Sequence, residues 1–124
     1  MTQSAALVLF AHGARDPEWA EPFRDIARQV AALRPGLAVK LAFLELQTPT
    51  LAEAITALAG EGHRKIRVAP LFMAQGGHLK KDVPVLLDGI RASHPGLHIE
   101  MMTAIGDAPE LRQAIAEWLV RSST

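Results

Sequence analysis

Four short apolar runs alternate with segments of helical periodicity along this chain. The runs are Ala6–Ala11, Leu37–Leu44, Lys65–Phe72 and His98–Ala104. Strands that alternate with helices predict a parallel sheet covered by helices on both faces. The first run is continuously apolar, as expected of a strand that is buried on both faces. We therefore predict a three-layer α/β/α fold whose four-stranded parallel sheet has the order 2-1-3-4, as flavodoxin-like sheets begin.

Capping signals mark the predicted start of each helix. Each is an acidic or threonine N-cap followed by proline, or by glutamate three residues later. In chain order they are Asp16-Pro17, Thr50-x-x-Glu53, Asp82-Val83-Pro84 and Asp107-x-x-Glu110. The third signal leaves a long loop, Met73–Lys81, after the third strand. The sequence has no linker of low complexity, so we expect residues 1–124 to form one domain.

Composition excludes several classes of protein. The chain has no cysteine, and its 13 basic residues balance its 13 acidic residues. Without thiolates, any bound metal must be held by His, Asp or Glu. Without net charge, the chain has no field that would recruit nucleic acid. The apolar run at the N-terminus is too short to span a bilayer and lacks a basic flank, so we expect a cytoplasmic protein with no membrane partner.

Candidate site residues follow the ends of the predicted strands. Ligands of open α/β sheets bind beyond the carboxyl ends of strands, where the strand order reverses. His12 follows the first strand, Glu45 the second, and His78 lies in the loop after the third. Imidazole and carboxylate ligands suit Co²⁺, Ni²⁺, Fe²⁺ and Zn²⁺, and such a set leaves coordination positions open. The residues also allow a simpler interpretation, in which both histidines only form hydrogen bonds and Glu45 is a loop carboxylate.

Three segments resemble the small sirohydrochlorin cobaltochelatases of the class II chelatase family. They are AHGARDP, FLELQTPTL and APLFMAQGGHLKKDVP, and the resemblance covers nearly the whole chain. It implies that His12 and His78 bind the metal and that Glu45 is the active-site acid. Such sequences commonly carry Ser after His-Gly, where this chain has Ala14. That difference leaves any role for a hydroxyl at this position in doubt.

The resemblance implies insertion of a divalent metal into sirohydrochlorin in cobalamin biosynthesis, with no organic cofactor. It favours Co²⁺, and the ligand types also admit Ni²⁺, Fe²⁺ and Zn²⁺. His12, His78 or Glu45 would accept a pyrrole proton. Other interpretations remain open: a ferrochelatase of siroheme biosynthesis, a non-catalytic metal carrier or tetrapyrrole-binding module, and a flavodoxin-like domain whose histidines are structural.

The carboxylates of the implied substrate lead us to expect a second group of site residues, which would bind them. Arg15, Lys80 and Lys81 would pair with these carboxylates, and a loop at Gly76-Gly77 would close over the ring. Each also has a simpler interpretation, as solvated charges or a flexible turn. The remaining histidines, His63, His94 and His98, are expected to be structural.

A homodimer is expected from the size of the sheet. Four strands offer one wall at the carboxyl edge, whereas a flat macrocycle needs contacts on both faces. A two-fold dimer supplies the second wall with the same surface, so we expect the tetrapyrrole to lie between subunits. Apolar residues near the last strand and helix could contribute, although core packing is the simpler interpretation of each. They are Met101, Met102, Trp118 and Leu119.

Overall fold

The sheet has the predicted strand order. We describe it from a computed structural model that covers residues 5–123 of the chain. The strands are β1 (Ala5–Ala11), β2 (Ala38–Phe43), β3 (Lys65–Pro70) and β4 (His98–Met101). They form one four-stranded parallel sheet in the order β2-β1-β3-β4, which confirms the prediction. Because β1 and β3 are the central strands, the strand order reverses between their carboxyl ends.

Two of the predicted helix caps are formed. The helices are α1 (Glu21–Leu33), α2 (Leu51–Gly60), α3 (Gly77–Ser93) and α4 (Pro109–Ser122), with 3-10 turns at Pro17–Ala20 and Ile105–Asp107. In the box that starts α2, the Glu53 N–H donates to Thr50 Oγ1 at 3.1 Å and the Thr50 N–H donates to Glu53 Oε1 at 2.8 Å. Asp16 accepts a hydrogen bond from the Glu18 N–H at 2.9 Å. It caps the first 3-10 turn, and α1 follows only at Glu21.

The start of α3 differs from the sequence prediction. The helix begins at Gly77 rather than Asp82, so the long loop predicted over Met73–Lys81 is wrong. Pro84 lies inside the helix, where its ring removes one backbone hydrogen bond. Leu79 extends the apolar stripe of the helix by one turn and packs against the buried core, which offsets that loss. The segment that carries most of the predicted substrate contacts is therefore helical.

The predicted capping box of α4 is also wrong. Asp107 ends a 3-10 turn, and Ala108 is the N-cap of α4 without a side-chain hydrogen bond. The reason is Pro109, which is the first residue of the helix. A proline pushes the residue before it into extended backbone, and Ala108 has φ −89° and ψ 112°. The helix can therefore begin only at Pro109.

The two faces of the sheet are covered to different extents. Against one face, α2 and α3 enclose a continuous apolar core, whose largest fully buried side chains include Phe10, Leu51, Ile55, Leu58, Ile66 and Leu87. On the other face, Trp19 and Phe23 pack beside the buried Phe43 of β2. The β3–β4 part of that face carries the Arg67–Glu100 ion pair, with Nε and Oε1 2.9 Å apart and both side chains exposed. The predicted covering of both faces is therefore complete on one face only.

The last helix lies at the surface along its whole length. All residues of α4 are exposed, and the exposed fractions of Trp118 and Leu119 are 58% and 51%. Core packing of these two residues is therefore wrong, whereas Met101 does pack against the core and Met102 is 39% exposed. Within residues 5–123, no helix combines the length and apolar character that crossing a membrane requires.

Candidate active site

The carboxyl ends of β1 and β2 place His12 beside Glu45. The two strands end in register, with Ala11 opposite Phe43. Backbone pairing then continues past the strands, because the Leu44 N–H donates to the Ala11 carbonyl at 2.9 Å and the Glu45 N–H to the His12 carbonyl at 3.1 Å. His12 Nε2 lies 3.4 Å from Glu45 Oε2. Both side chains are about half exposed, so a large ligand can reach the pair.

Gly13 permits this close approach of the two loops. Its φ is +98°, in a region that residues with a Cβ rarely adopt. A Cβ at this position would also lie 1.9 Å from the Glu45 carbonyl oxygen. The segment after His12 and the segment that carries Glu45 can therefore touch only because residue 13 is glycine.

Phe72, which the sequence analysis did not single out, forms an apolar wall beside His12. The ring of Phe72 is buried and meets the His12 ring at an angle of 73°, with centroids 6.4 Å apart. It also packs edge-on against Phe10, with centroids 5.5 Å apart. The available signal was that Phe72 ends the third apolar run, because the end of that run lies next to the end of β1 in the 2-1-3-4 order. The wall restricts His12 on one side and leaves Glu45 as its polar neighbour.

His78 lies at the same edge but is not part of the His12–Glu45 pair. It is the second residue of α3 and is exposed. Across residues 5–123, no group of three His, Asp or Glu side chains is arranged to hold a metal ion. The structure thus brings two of the three predicted catalytic side chains together. A metal at this edge would meet His12 and Glu45 first, with His78 on a separate element.

The predicted closing loop at Gly76-Gly77 is instead the start of α3. Gly76 is the N-cap, without a side-chain hydrogen bond, and Gly77 is the first helical residue. The first N–H groups of a helix have no partner within the helix, and they favour anions. A Cβ at either glycine would meet no atom within 4 Å, so this helix end is open to a ligand.

The predicted cationic residues surround this edge. Lys80 and Lys81 lie in the first turns of α3, and Arg15 follows the His12 segment. All three side chains are exposed, and within residues 5–123 none of them has an ion-pair partner. Their charges are therefore available to an anionic ligand.

Gly106, which follows the fourth strand, joins the ends of β3 and β4. Its N–H donates to the Phe72 carbonyl at 3.0 Å, and its carbonyl accepts a hydrogen bond from Arg112 at 3.0 Å. A Cβ at Gly106 would lie 1.5 Å from the Met73 carbonyl oxygen. The close contact holds the segment after β3, which leads to His78, against the turn that precedes α4.

An apolar cleft opens beside this edge, between α1 and α4. Its volume is about 440 Å³, and its walls include Ile26, Leu71, Met73, Ile115 and Trp118. A second cleft, of about 570 Å³, lies over the amino ends of the strands and so away from the His12–Glu45 pair. The first cleft is lined by Leu71 and Met73, which lie just after β3, so it offers an apolar surface next to the polar site.

The other histidines lie away from the carboxyl edge, as predicted. His98 is the first residue of β4, at the amino end of the sheet. His94 follows α3, and its Nε2 lies 3.2 Å from Thr56 Oγ1. His63 follows α2, and its backbone N–H donates to the Leu58 carbonyl at 3.1 Å. These contacts join chain segments near the amino ends of the strands, at the opposite end of the sheet from the site.

The chain matches a family model over most of its length. The model is described as CbiX, and it matches residues 6–122. A sirohydrochlorin cobaltochelatase of Saccharolobus islandicus is 35% identical over 119 residues, which cover 93% of this chain and 90% of that protein.

Solved structures of similar proteins share the fold. A CbiX protein from Marinobacter aquaeolei VT8 superposes with a TM-score of 0.82 at 33% identity, over 95% of this chain and 96% of that one. The sirohydrochlorin chelatase SirB from Bacillus subtilis subspecies spizizenii, solved in complex with cobalt, superposes with a TM-score of 0.80 at 24% identity. The match covers 96% of this chain and 51% of SirB, so this chain spans about half the length of SirB.

Proposed function

The chain belongs to the CbiX family, and on that premise we propose that it inserts Co²⁺ into sirohydrochlorin, as a sirohydrochlorin cobaltochelatase of cobalamin biosynthesis. The structural observation that carries the proposal is the exposed pair of His12 Nε2 and Glu45 Oε2, 3.4 Å apart at the carboxyl edge of the sheet. An imidazole beside a carboxylate offers both a ligand for a divalent metal and an acceptor for a proton.

The reaction changes no oxidation state. Sirohydrochlorin carries eight carboxylates and four inward nitrogens, two of which hold protons. As the metal forms four bonds to nitrogen, both protons must leave the ring. The protein therefore has to deliver M²⁺, accept protons and hold the macrocycle. None of these tasks needs an organic cofactor, and the metal ion is a substrate.

We assign delivery of the metal to His12 and His78, with Glu45 beside them. His12 and Glu45 are already adjacent, whereas His78 approaches from the start of α3. Such a set holds the ion weakly and leaves coordination positions for the pyrrole nitrogens. As the ion moves to the ring, Glu45 or one imidazole accepts the departing pyrrole proton. Release of the metal and acceptance of the proton thus take place within one site.

We assign substrate carboxylates to the cationic rim of the site. Arg15, Lys80 and Lys81 are exposed at this edge and can form charge-assisted hydrogen bonds with carboxylates. The open helix start at Gly76 and Gly77 offers backbone N–H groups to another carboxylate. Since neither glycine has a side chain, the anion can approach the backbone directly.

We also propose that the working unit is a homodimer in the cytoplasm, with the tetrapyrrole held between subunits. The site has one wall in this chain, and SirB is about twice as long. The exposed apolar side chains of α4 and the adjoining cleft support an interface next to the site. A two-fold axis would use this surface twice.

A spectral assay under multiple turnover tests the function. Protein, Co²⁺ and excess sirohydrochlorin should give many equivalents of the metallated product, above the rate without protein. A carrier would give at most one equivalent, and a structural domain would give none above background. Parallel reactions with Ni²⁺, Fe²⁺ and Zn²⁺ test the preference for cobalt, since faster insertion of Fe²⁺ would indicate a ferrochelatase.

A further inference from the structure

We infer that Gln47 is a positioning residue for the His12–Glu45 pair, and the inference rests on the proposed function. The observation is one hydrogen bond between the two loops of the site. The Ala14 N–H donates to Gln47 Oε1 at 3.1 Å, and the bond is partly buried. Gln47 follows Glu45 by two residues, and Ala14 follows His12 by two residues.

This bond continues a ladder that the backbone alone cannot continue. The first two links are between backbone groups: Leu44 to Ala11 at 2.9 Å and Glu45 to His12 at 3.1 Å. At the next residue of each segment the backbone turns away, because Gly13 has φ +98° and Leu46 has φ +66°. Beyond that step, the side chain of Gln47 supplies the link between the loops.

Leu46 has a backbone conformation that the Gln47 hydrogen bond can stabilise. Leucine at positive φ costs roughly 1–2 kcal/mol relative to ordinary backbone. The side chain of Leu46 is 58% exposed, so burial recovers little of that cost. The conformation must therefore be held by its neighbours, and the Gln47 bond lies directly after it.

The base of the Glu45 loop is closed separately. The Phe43 N–H donates to the Pro49 carbonyl at 2.9 Å, so the loop returns to the point where it left β2. Gln47 lies between these anchored ends, and its bond ties the middle of the loop to the His12 segment. Loss of the bond would leave the base intact and free the middle, where the distance between His12 and Glu45 is set.

The specific requirement is a hydrogen-bond acceptor at the end of the residue 47 side chain. Gln47→Leu removes the acceptor at nearly constant size, and Gln47→Glu keeps an oxygen at the same reach. Gln113→Leu is the matched control, because Gln113 is exposed, donates to Glu117 Oε2 at 3.2 Å, and lies on the side of α4 opposite the apolar Leu111 and Ile115.

We expect Gln47→Leu to weaken Co²⁺ binding and to lower kcat, each by about 10- to 100-fold, as loss of a ligand's supporting contact does. KM for the tetrapyrrole should change by less than about threefold, since that contact lies on other residues. Gln47→Glu should restore most of kcat, and Gln113→Leu should match the wild type. Hydrogen exchange of the Ala14 amide should become faster in Gln47→Leu and stay slow in Gln47→Glu.

Two results would overturn the inference. One is equal loss in Gln47→Leu and Gln47→Glu, which would mean that the acceptor has no role. The other is a lower melting temperature of Gln47→Leu with unchanged Co²⁺ affinity and kcat, which would mean that the bond only stabilises the fold. Wild-type protein without insertion activity would instead refute the proposed function, and Co²⁺ affinity and Ala14 exchange would still test Gln47.

Discussion

The imidazole of His12 and the carboxylate of Glu45 lie 3.4 Å apart, although one follows β1 and the other follows β2. Their proximity comes from the parallel register of the two strands, which ends with Ala11 opposite Phe43 and continues for two backbone hydrogen bonds. Both side chains remain about half exposed. A metal and a large planar substrate can therefore meet at this pair.

Removal of either predicted metal ligand should abolish most metal insertion. We expect His12→Ala and His78→Ala each to reduce kcat by at least about 100-fold, within the range for loss of a positioned acid-base group. Both side chains are exposed, so the melting temperature should barely change. His98→Ala, an exposed histidine at the opposite end of the sheet, is the matched control. Wild-type turnover by either site variant, at equal folded fraction, would refute its assignment.

Gly13→Ala should destabilise the protein more than Gly62→Ala does. Both glycines have positive φ, +98° and +97°, but a Cβ at Gly62 meets no atom within 4 Å. Gly62→Ala should cost roughly 1–2 kcal/mol for its backbone alone. The contact of a Cβ at Gly13 with the Glu45 carbonyl should add about 1–3 kcal/mol, as overpacking does. Urea unfolding measures both, and equal losses would mean that the loops separate without cost.

The Lys80 and Lys81 pair should contribute to substrate binding rather than to chemistry. Replacing both by Ala should raise KM for the tetrapyrrole more than it lowers kcat, the pattern of lost uniform binding. The effect should shrink at high salt, where exposed charges are screened. The double variant Arg64→Ala/Lys65→Ala removes two adjacent exposed charges at the other end of the sheet and should leave KM unchanged. An unchanged KM in the Lys80/Lys81 variant at low salt would show that these charges are only solvated.

The exposed apolar side of α4 should carry the dimer contact. Trp118→Glu places a charge where 58% of the tryptophan is exposed, so it should convert a dimer to a monomer and lower insertion. Val85→Glu is the control, since Val85 is 70% exposed on α3. Light scattering at micromolar concentration, with and without ligand, measures the mass. A wild-type monomer that still turns over substrate would refute the shared site and leave the metal ligands unaffected.

The ion pairs of α1 should make a small contribution to the free energy of unfolding, and that contribution should depend on pH. A hydrogen bond from Arg28 lowers the pKa of the Glu21 carboxyl below its ordinary value of 4.5, because the ionised form is the better acceptor. The contribution is therefore present above the unfolded pKa and is lost as the pH falls through the lower folded pKa. Glu21→Gln should remove this part of the acid dependence, whereas Glu110→Gln on α4 should keep it. A carboxyl titration by NMR measures the shift directly, and an ordinary pKa for Glu21 would contradict it.

Local signals in the sequence predicted the parts of the fold whose causes are local. The Thr50–Glu53 box formed as expected, since its donors and acceptors lie within one helical turn. The capping box predicted at Asp107 did not form, because Pro109 fixes the residue at which α4 can begin. The predicted start of α3 was wrong for a different reason, since the contact of Leu79 with the core depends on strands that are distant in the chain.

The alternation of apolar and helical segments by itself determined the four parallel strands, and it placed His12 and Glu45 at one edge; their order, 2-1-3-4, came from the way flavodoxin-like sheets begin. Periodicity carries this information because each strand or helix must bury its own apolar side. The tertiary structure alone decided that His12 and Glu45 meet at 3.4 Å while His78 stands apart on the first turn of α3. It also decided that Gly13 receives the Glu45 carbonyl and that α4 stays exposed. Such distances follow from strand register and from contacts between residues far apart in the chain, which no local pattern encodes.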